Sequence, residues 1–369
     1  MCEIQIFFII IYNGEERIIM EKSYFAAANT ERGFVSLFSE IFDIKSLSHF
    51  YIIKGGPGTG KSTLMRKIAM EAKARGLDTE FYYCSADTRS LDGIKIPALG
   101  VAIADGTSPH TLDPRFPGAC DSIIDLGAFF DKQKLKYDRA EIISLTELCS
   151  SYYLSAKRFL TACGEVERAK LDICAKAFDR EKAKKAAFRL VSRLNSEKGD
   201  ISTRYISAIG VHRCAHIDEM QENAEKIVRV TGKYGFSVLF MDELFAAVRE
   251  HGLKAVRYPN VLMPEKTEGV YIGSTIFIIS ESEDTQGDIV NTKRFVNGET
   301  LSLLRGKIRF AEKCASALKE GALGSLSLMG KAHDELERYY IGAMDFERAE
   351  VIFEKVKAEI FGCENKKCE

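Results

Sequence analysis

The sequence predicts an α/β protein made of two tandem three-layer αβα domains, each with a parallel sheet and each followed by a helical hairpin. Three observations predict this class. A glycine-rich loop joins an apolar strand to a helix near residue 55, a second strand–helix–strand series follows near residue 225, and long helical segments come after each series. The second copy is expected to be degenerate, because it lacks the glycine-rich loop.

The first element is a strand, loop and helix. The apolar run "FYIIKG" (50–55) is typical of a buried parallel strand, and "STLMRKIAMEAKARG" (62–76) has apolar residues at helical spacing before a terminating glycine. Between them lies "GGPGTGKST" (55–63), which fits the P-loop pattern G-x-x-x-x-G-K-[ST]. We call residues 55–60 the glycine loop.

Each residue type in this motif has a physical reason. Glycines allow backbone dihedrals closed to other residues, so that exposed N–H groups form an anion nest at a helix N-terminus. Lys61 would bring positive charge to the β- and γ-phosphates, and the Ser62 hydroxyl would complete a Mg²⁺ shell. The residues predicted to bind ATP are Gly56, Pro57, Gly58, Thr59, Gly60, Lys61, Ser62, Thr63 and Asp87.

A carboxylate is expected at the end of a neighbouring strand. The run "ALGVAIADG" (98–106) ends at Asp105, which would hold Mg²⁺ together with Ser62. Asp105 and Lys61 are also predicted to be catalytic. Many ATPases carry a glutamate just after this aspartate to orient water, whereas here Gly106 follows, so slow hydrolysis is expected.

The polar loop over residues 106–121 is the second predicted source of catalytic groups. It is rich in proline, which fixes φ and indicates a stiff loop. His110 and Asp113 are candidates for water positioning or proton transfer, and the alternative is that His110 braces the turn. Arg89 and Arg115 could contact phosphate or be solvated. For Asp87, the alternative is an Asx turn.

The second half repeats the first. Residues 51–106 align with 227–282 without a gap, with Tyr82 on Tyr258 and Gly93 on Gly269. Strands are predicted at 225–232, 254–258 and 274–281, the last ending in Glu281 where Asp105 stands, with a helix at 237–252. The segments that precede the two halves, 23–34 and 204–214, also correspond.

The glycine loop is not repeated. In the alignment, Phe236 falls on Gly60, Ser237 on the lysine and Val238 on the serine. A phenylalanine in the nest and an apolar residue at the metal position both oppose phosphate binding. The sequence therefore predicts one nucleotide site, in the first half.

Helical segments complete each half. They cover residues 131–195, ending in a helix at 177–194, and then a helix near 300–320 and another at 331–362. The N-terminal residues 1–19 are interpreted as a leader or a mis-called start, with Met20 as the native start and an edge strand as the alternative. The predicted divisions are 1–19, the first core at 20–130, a hairpin at 131–203, the second core at 204–299, a hairpin at 300–362, and a tail at 363–369.

Composition excludes some functions. The net charge of −1 gives no electrostatic basis for nucleic-acid binding, and the nine-residue apolar run at 4–12 is too short to span a bilayer. The ten cysteines include no C-x-x-C pair, which favours reduced thiols in a cytoplasmic protein.

The two-half layout resembles a family of uncharacterised bacterial ATPases with tandem P-loop domains, within the P-loop NTPase superfamily. The segments that carry the resemblance are "GGPGTGKST" and "SLDGIKIPALGVAIADGTSPHTLDPRFPG". The resemblance implies ATP binding and names no substrate. In that family the second copy usually keeps its P-loop, and in this chain it does not.

Three functions stay open at this point. The first is a slow Mg²⁺-dependent ATPase that couples nucleotide state to an unknown protein or small-molecule partner. The second is a kinase that transfers the γ-phosphoryl group of ATP to a small molecule or nucleotide, with the helical hairpin as a lid that supplies arginine from the basic segment 179–193. The alternative for that segment is a solvated helix face. The third is binding without turnover. The basic residues of segment 179–193, named above for the kinase, include Arg180, Lys182, Lys184, Lys185, Arg189 and Arg193.

Overall fold

The chain divides into two units, neither of which is continuous in sequence. The computed structural model describes residues 9–12, 15–18, 21–280 and 288–362. Unit 1 comprises residues 1–26, 38–150 and 329–369, and unit 2 comprises residues 27–37 and 151–328. In the described part of the chain, no helix is both long enough and apolar enough to cross a membrane.

The first half of the chain contains most of unit 1. Its elements are β1 (Ile9–Tyr12), β2 (Glu15–Ile18), β3 (Glu21–Phe25), β4 (Ala27–Thr30), β5 (Gly33–Ser36), α1 (Phe38–Ile41), β6 (His49–Lys54), α2 (Lys61–Ala74), β7 (Thr79–Tyr83), β8 (Leu91–Ile96), β9 (Val101–Asp105), β10 (Asp121–Asp125), α3 (Lys132–Tyr137), α4 (Arg139–Ala175) and α5 (Arg180–Val191).

The second half contains most of unit 2. Its elements are β11 (Ile201–Thr203), β12 (Ser207–Ile209), β13 (Cys214–His216), α6 (Glu219–Glu222), β14 (Lys226–Thr231), α7 (Phe236–His251), β15 (Ala255–Pro259), β16 (Thr267–Ile272), β17 (Thr275–Ser280), β18 (Asp288–Asn291), α8 (Gly298–Gly342) and α9 (Phe346–Phe361).

Each unit is built on a six-stranded sheet, and the two sheets have the same strand order. The first runs β10-β6-β9-β8-β7-β3 and the second runs β18-β14-β17-β16-β15-β11. The predicted parallel sheets are therefore mixed, because β8 and β16 are antiparallel to both of their neighbours. A short connection between β7 and β8 forces this direction, since a tight return can only join antiparallel strands.

The strand pairings agree with the alignment of the two halves of the sequence. Tyr82 pairs with Gly93 in the first sheet, and Tyr258 pairs with Gly269 in the second. Both tyrosines are fully buried, and each pairing is followed by a register shift. The two sheets thus share both topology and a local irregularity. The preceding hairpins, β4–β5 and β12–β13, likewise correspond.

Each sheet is covered by the helix that follows its first long strand. The buried face of α2 carries Leu64, Met65 and Ile68, which pack on the strands of the first sheet. In unit 2, α7 buries Phe240, Met241 and Leu244 in the same manner. This helical spacing of apolar residues is what the sequence predicted.

The short helices that end the helical segments are exchanged between the two sequence halves. Helix α5 follows the first sheet in the chain but packs on α7 in unit 2, and α9 follows the second sheet but packs on α2 in unit 1. Matching backbone hydrogen bonds hold both helix starts. Asp179 N donates to Phe295 O at 2.7 Å, and Asp345 N donates to Phe129 O at 3.1 Å.

The helix predicted over residues 331–362 is wrong in one respect. Helix α8 continues from residue 298 to 342, and α9 begins separately at Phe346. The break occurs because residues 343–345 bind the segment after β10, where Asp131 N donates to Ala343 O at 2.7 Å. The side chain of Asp345 then accepts from Arg348 N and caps α9.

Candidate functional site

The glycine loop leads from the buried strand β6 directly into helix α2. Gly58 and Gly60 have φ angles of 67° and 83°, in the left-handed region that favours glycine. Gly60 is the N-cap of α2, and Lys61 is its first residue. The Thr59 hydroxyl donates to Gly56 O at 2.9 Å and closes the loop.

Lys61 and Asp105 come together at the carboxyl ends of two adjacent strands. Lys61 Nζ lies 3.5 Å from Asp105 Oδ2 and donates to Gly56 O at 2.8 Å. The other carboxylate oxygen, Asp105 Oδ1, accepts from Thr107 N at 2.8 Å and from Thr107 Oγ1 at 2.6 Å. Asp105 is therefore held by the following turn, with its second oxygen directed to the lysine.

Ser62 lies beside this pair, in the first turn of α2. Its Oγ accepts a hydrogen bond from Leu91 N at 3.0 Å, which fixes the hydroxyl against the start of β8. An oxygen that accepts one hydrogen bond keeps a second lone pair. A serine hydroxyl and an aspartate oxygen are the hard donors that Mg²⁺ prefers, so the residues present fit that ion.

Lys54, the last residue of β6, was not predicted as a site residue. Its Nζ donates to Gly106 O at 2.9 Å and to Asp113 Oδ1 at 3.1 Å. Asp113 is highly exposed, at 76% of its side chain. A lysine ending an otherwise apolar strand was the signal in the sequence.

His110 is buried and braced on two sides. Its Nε2 lies 3.0 Å from Asp92 Oδ2, and its ring stacks on Phe38 with centroids 4.3 Å apart. These contacts favour the bracing alternative, although the water-positioning role of His110 stays a prediction. Asp92 was not predicted as a site residue, and neither was the strand β8 that contains it.

Asp87 and Arg89 form a closed local pair. Asp87 Oδ1 accepts from Arg89 N at 3.0 Å, an Asx turn, and Asp87 Oδ2 accepts from Arg89 Nη2 at 2.8 Å. Hydrogen bonding and charge from Asp87 raise the pKa of the Arg89 guanidinium. For Arg115, the backbone N–H donates to the buried carboxylate of Asp121 at 2.7 Å.

The last turns of α8 lie against the glycine loop within unit 1. A Cβ atom built on Gly58 would lie 2.5 Å from Ile341 Cγ1 and 2.8 Å from Glu337 Cγ. One built on Gly56 would lie 2.9 Å from the Tyr340 ring. These glycines thus allow a close contact between the loop and helix α8. No local sequence signal connects residues so far apart in the chain.

Residues 36–95 match one family model, described as Nephrocystin 3, N-terminal. The matched segment contains the glycine loop, α2 and β7. The match covers less than half of the chain, so it shows similarity over this segment alone. No curated protein and no solved structure matches the chain.

The corresponding loop of unit 2 is shorter and has a different chemistry. Tyr234 and Gly235 have φ angles of 62° and 92°, and α7 begins at Phe236. When the two helix starts are matched, Phe236 corresponds to Lys61, whereas the sequence alignment matched Phe236 to Gly60. The shift arises because fewer residues separate the strand from the helix.

Among the described residues of unit 2, the register position that corresponds to Asp105 carries no carboxylate. Asp105 pairs with Ile53 across β9 and β6, whereas Ile279 pairs with Val230 across β17 and β14. This register places an isoleucine where the first sheet has Asp105. Glu281, which the sequence alignment placed there, lies outside the described residues.

A cavity of about 1520 Å³ opens beside this second loop, within unit 2. On its wall, Ser207 Oγ donates to Glu268 Oε1 at 2.6 Å and lies 2.8 Å from His216 Nδ1. Burial lowers the pKa of His216, but hydrogen bonding and charge from Glu268, with the charge of Asp218, outweigh it and raise the pKa. The cavity also contains Lys233 and Lys319.

Proposed function

We propose that unit 1 is a P-loop NTPase-type domain that binds ATP with Mg²⁺, and that the protein is a slow ATPase with a regulatory or partner-coupling role. The observation that carries the proposal is the placement of Lys61 at the start of α2, 3.5 Å from Asp105 at the end of the neighbouring strand. A lysine, a carboxylate and a glycine loop at one sheet edge suit a polyphosphate with its metal ion.

Each residue would have a distinct task. Lys61 would exchange its bonds to loop carbonyls for the β- and γ-phosphates, while Asp105 and Ser62 would hold Mg²⁺. The ion would neutralise phosphate charge when bound. The turn at Thr107 would keep Asp105 oriented through its two hydrogen bonds.

The position after Asp105 supports slow turnover. A Cβ atom built on Gly106 would collide with Ile52 Cγ2, which lies under the loop. A glutamate that orients the attacking water cannot be placed there without displacing a buried strand residue. In this proposal the chain would supply phosphate binding and metal binding but no water-orienting carboxylate at this position.

The test compares ATP binding and phosphate release in the wild type, Lys61→Ala and Lys45→Ala, an exposed control outside the loop. Lys61→Ala should weaken ATP binding by calorimetry at least tenfold, as expected for the loss of a charged hydrogen bond. Unchanged affinity would contradict the proposed site. Labelled ATP offered with a panel of acceptors adds a second readout, in which phosphoryl transfer in place of phosphate release would identify a kinase.

A further inference from the structure

A pocket of about 230 Å³ lies beside the glycine loop in unit 1 and is walled by two helices. The loop and α2 form one side, and the first two turns of α9 form the other. The lining residues that matter here are Gly60, Thr63, Lys67, Phe346, Glu350 and Phe353.

We infer that this pocket holds the base of the bound nucleotide, and that α9 supplies its recognition surface. This inference rests on the proposed function. The pocket shares Gly60 and Thr63 with the predicted phosphate site, so a base tethered to those phosphates through one ribose lies within reach. The Phe346 ring lies 3.8 Å from a Cβ atom built on Gly60.

Phe346 is the stacking candidate. Its side chain is 45% exposed, whereas Phe361 of the same helix is buried at 4%. An aromatic ring left open at the mouth of a pocket has a free face for a base, and base–aromatic stacking strengthens binding substantially. The other wall residue, Phe353, packs on the core of unit 1 and gives the pocket a rigid side.

Glu350 and Lys67 give the pocket its polar edge. Lys67 Nζ donates to both carboxylate oxygens of Glu350 at 2.6 Å and also lies 5.1 Å from the Phe353 ring centroid. The carboxylate only accepts hydrogen bonds and the ammonium only donates them. Adenine and guanine both present a hydrogen-bond donor next to an acceptor on one edge, so this pair of side chains can meet the edge of either base.

The test measures affinity for ADP, GDP and inorganic pyrophosphate by calorimetry in the wild type, Phe346→Ala, Glu350→Gln and Val351→Ala. Val351 is a matched control, because it lies on the same helix, is 67% exposed and does not line the pocket. Phe346→Ala should weaken ADP binding about tenfold or more and leave pyrophosphate binding within about twofold. Glu350→Gln should weaken the binding of both ADP and GDP and leave pyrophosphate binding within about twofold.

The outcomes separate this inference from the proposed function. Equal losses of ADP and pyrophosphate affinity in Phe346→Ala, or no loss of either, would overturn the base pocket and leave the phosphate site standing. A wild type that binds pyrophosphate as tightly as ADP would also overturn the base pocket and leave the phosphate site standing. A wild type that binds neither ADP nor pyrophosphate would overturn both proposals.

Discussion

At the scale of single residues, Asp105 contacts Lys61 and would also bind the metal ion in the proposed site. Asp105→Asn keeps the side-chain shape and an oxygen that can accept from Thr107, but it removes the charge. We expect the Mg²⁺ concentration needed to support ATP binding to rise roughly tenfold. The ATP affinity measured at saturating Mg²⁺ should change less. Calorimetric titrations across Mg²⁺ concentrations measure both quantities, with Asp113→Asn as the control. Equal behaviour of the two variants would remove Asp105 from the metal site.

His110 and Asp113 lie in one loop but in opposite environments, so their alanine variants should differ in stability. His110→Ala deprives the buried Asp92 of its imidazole partner and should cost about 1–3 kcal/mol of unfolding free energy. Asp113→Ala breaks only an exposed pair with Lys54 and should cost less than about 1 kcal/mol.

Chemical denaturation measures this difference, and phosphate release from ATP adds an independent readout. A fall in turnover of about 100-fold in either variant, with unchanged stability and ATP affinity, would support the water-positioning role of that residue.

At the scale of elements, the contact between the glycine loop and the end of α8 can be measured by a pair of glycine variants. Gly58 and Gly118 both have left-handed φ angles, but a Cβ atom on Gly118 would meet nothing within 4 Å. Gly118→Ala should cost only the backbone term, about 1–2 kcal/mol. Gly58→Ala should lower the melting temperature further, because its methyl group displaces Ile341. Adding Ile341→Ala should recover part of that excess, and equal losses in the two glycine variants would show that α8 does not press on the loop.

The sequence predicted elements whose signals are local. Strand β6, the glycine loop and α2 follow from an apolar run, glycine positions and helical spacing, and the matching tyrosines of β7 and β15 followed from a direct alignment. Strands β8 and β16 were not predicted, because their short, partly polar runs have no strong period. The contacts of Tyr340, Ile341 and Phe346 with the loop could not be predicted either, since only tertiary packing brings α8 and α9 there.

At the scale of the whole molecule, we expect one Mg·ATP per chain. Unit 2 has Phe236 at the helix start and Ile279 at the register position of Asp105, so in the described residues neither position carries the lysine or the carboxylate of unit 1. The missing charged hydrogen bond alone would lower phosphate affinity by about one to two decades. Calorimetry at saturation measures the stoichiometry, and Lys61→Ala should reduce it to none. A second equivalent that survives Lys61→Ala would place a nucleotide in the cavity of unit 2.

The exchange of α5 and α9 determines which unit receives its covering helix first during translation. A ribosome makes all strands of the first sheet long before it makes α9, which covers α2 in the finished unit 1. Until then the apolar side of α2 that α9 will cover stays open to water and to other nascent chains. Unit 2 has no such delay, because α5 is translated before α7, the helix on which it packs. A chain released after residue 328 should therefore be cleaved in unit 1 by limited proteolysis sooner than in unit 2, and equal protection of both units would exclude this order.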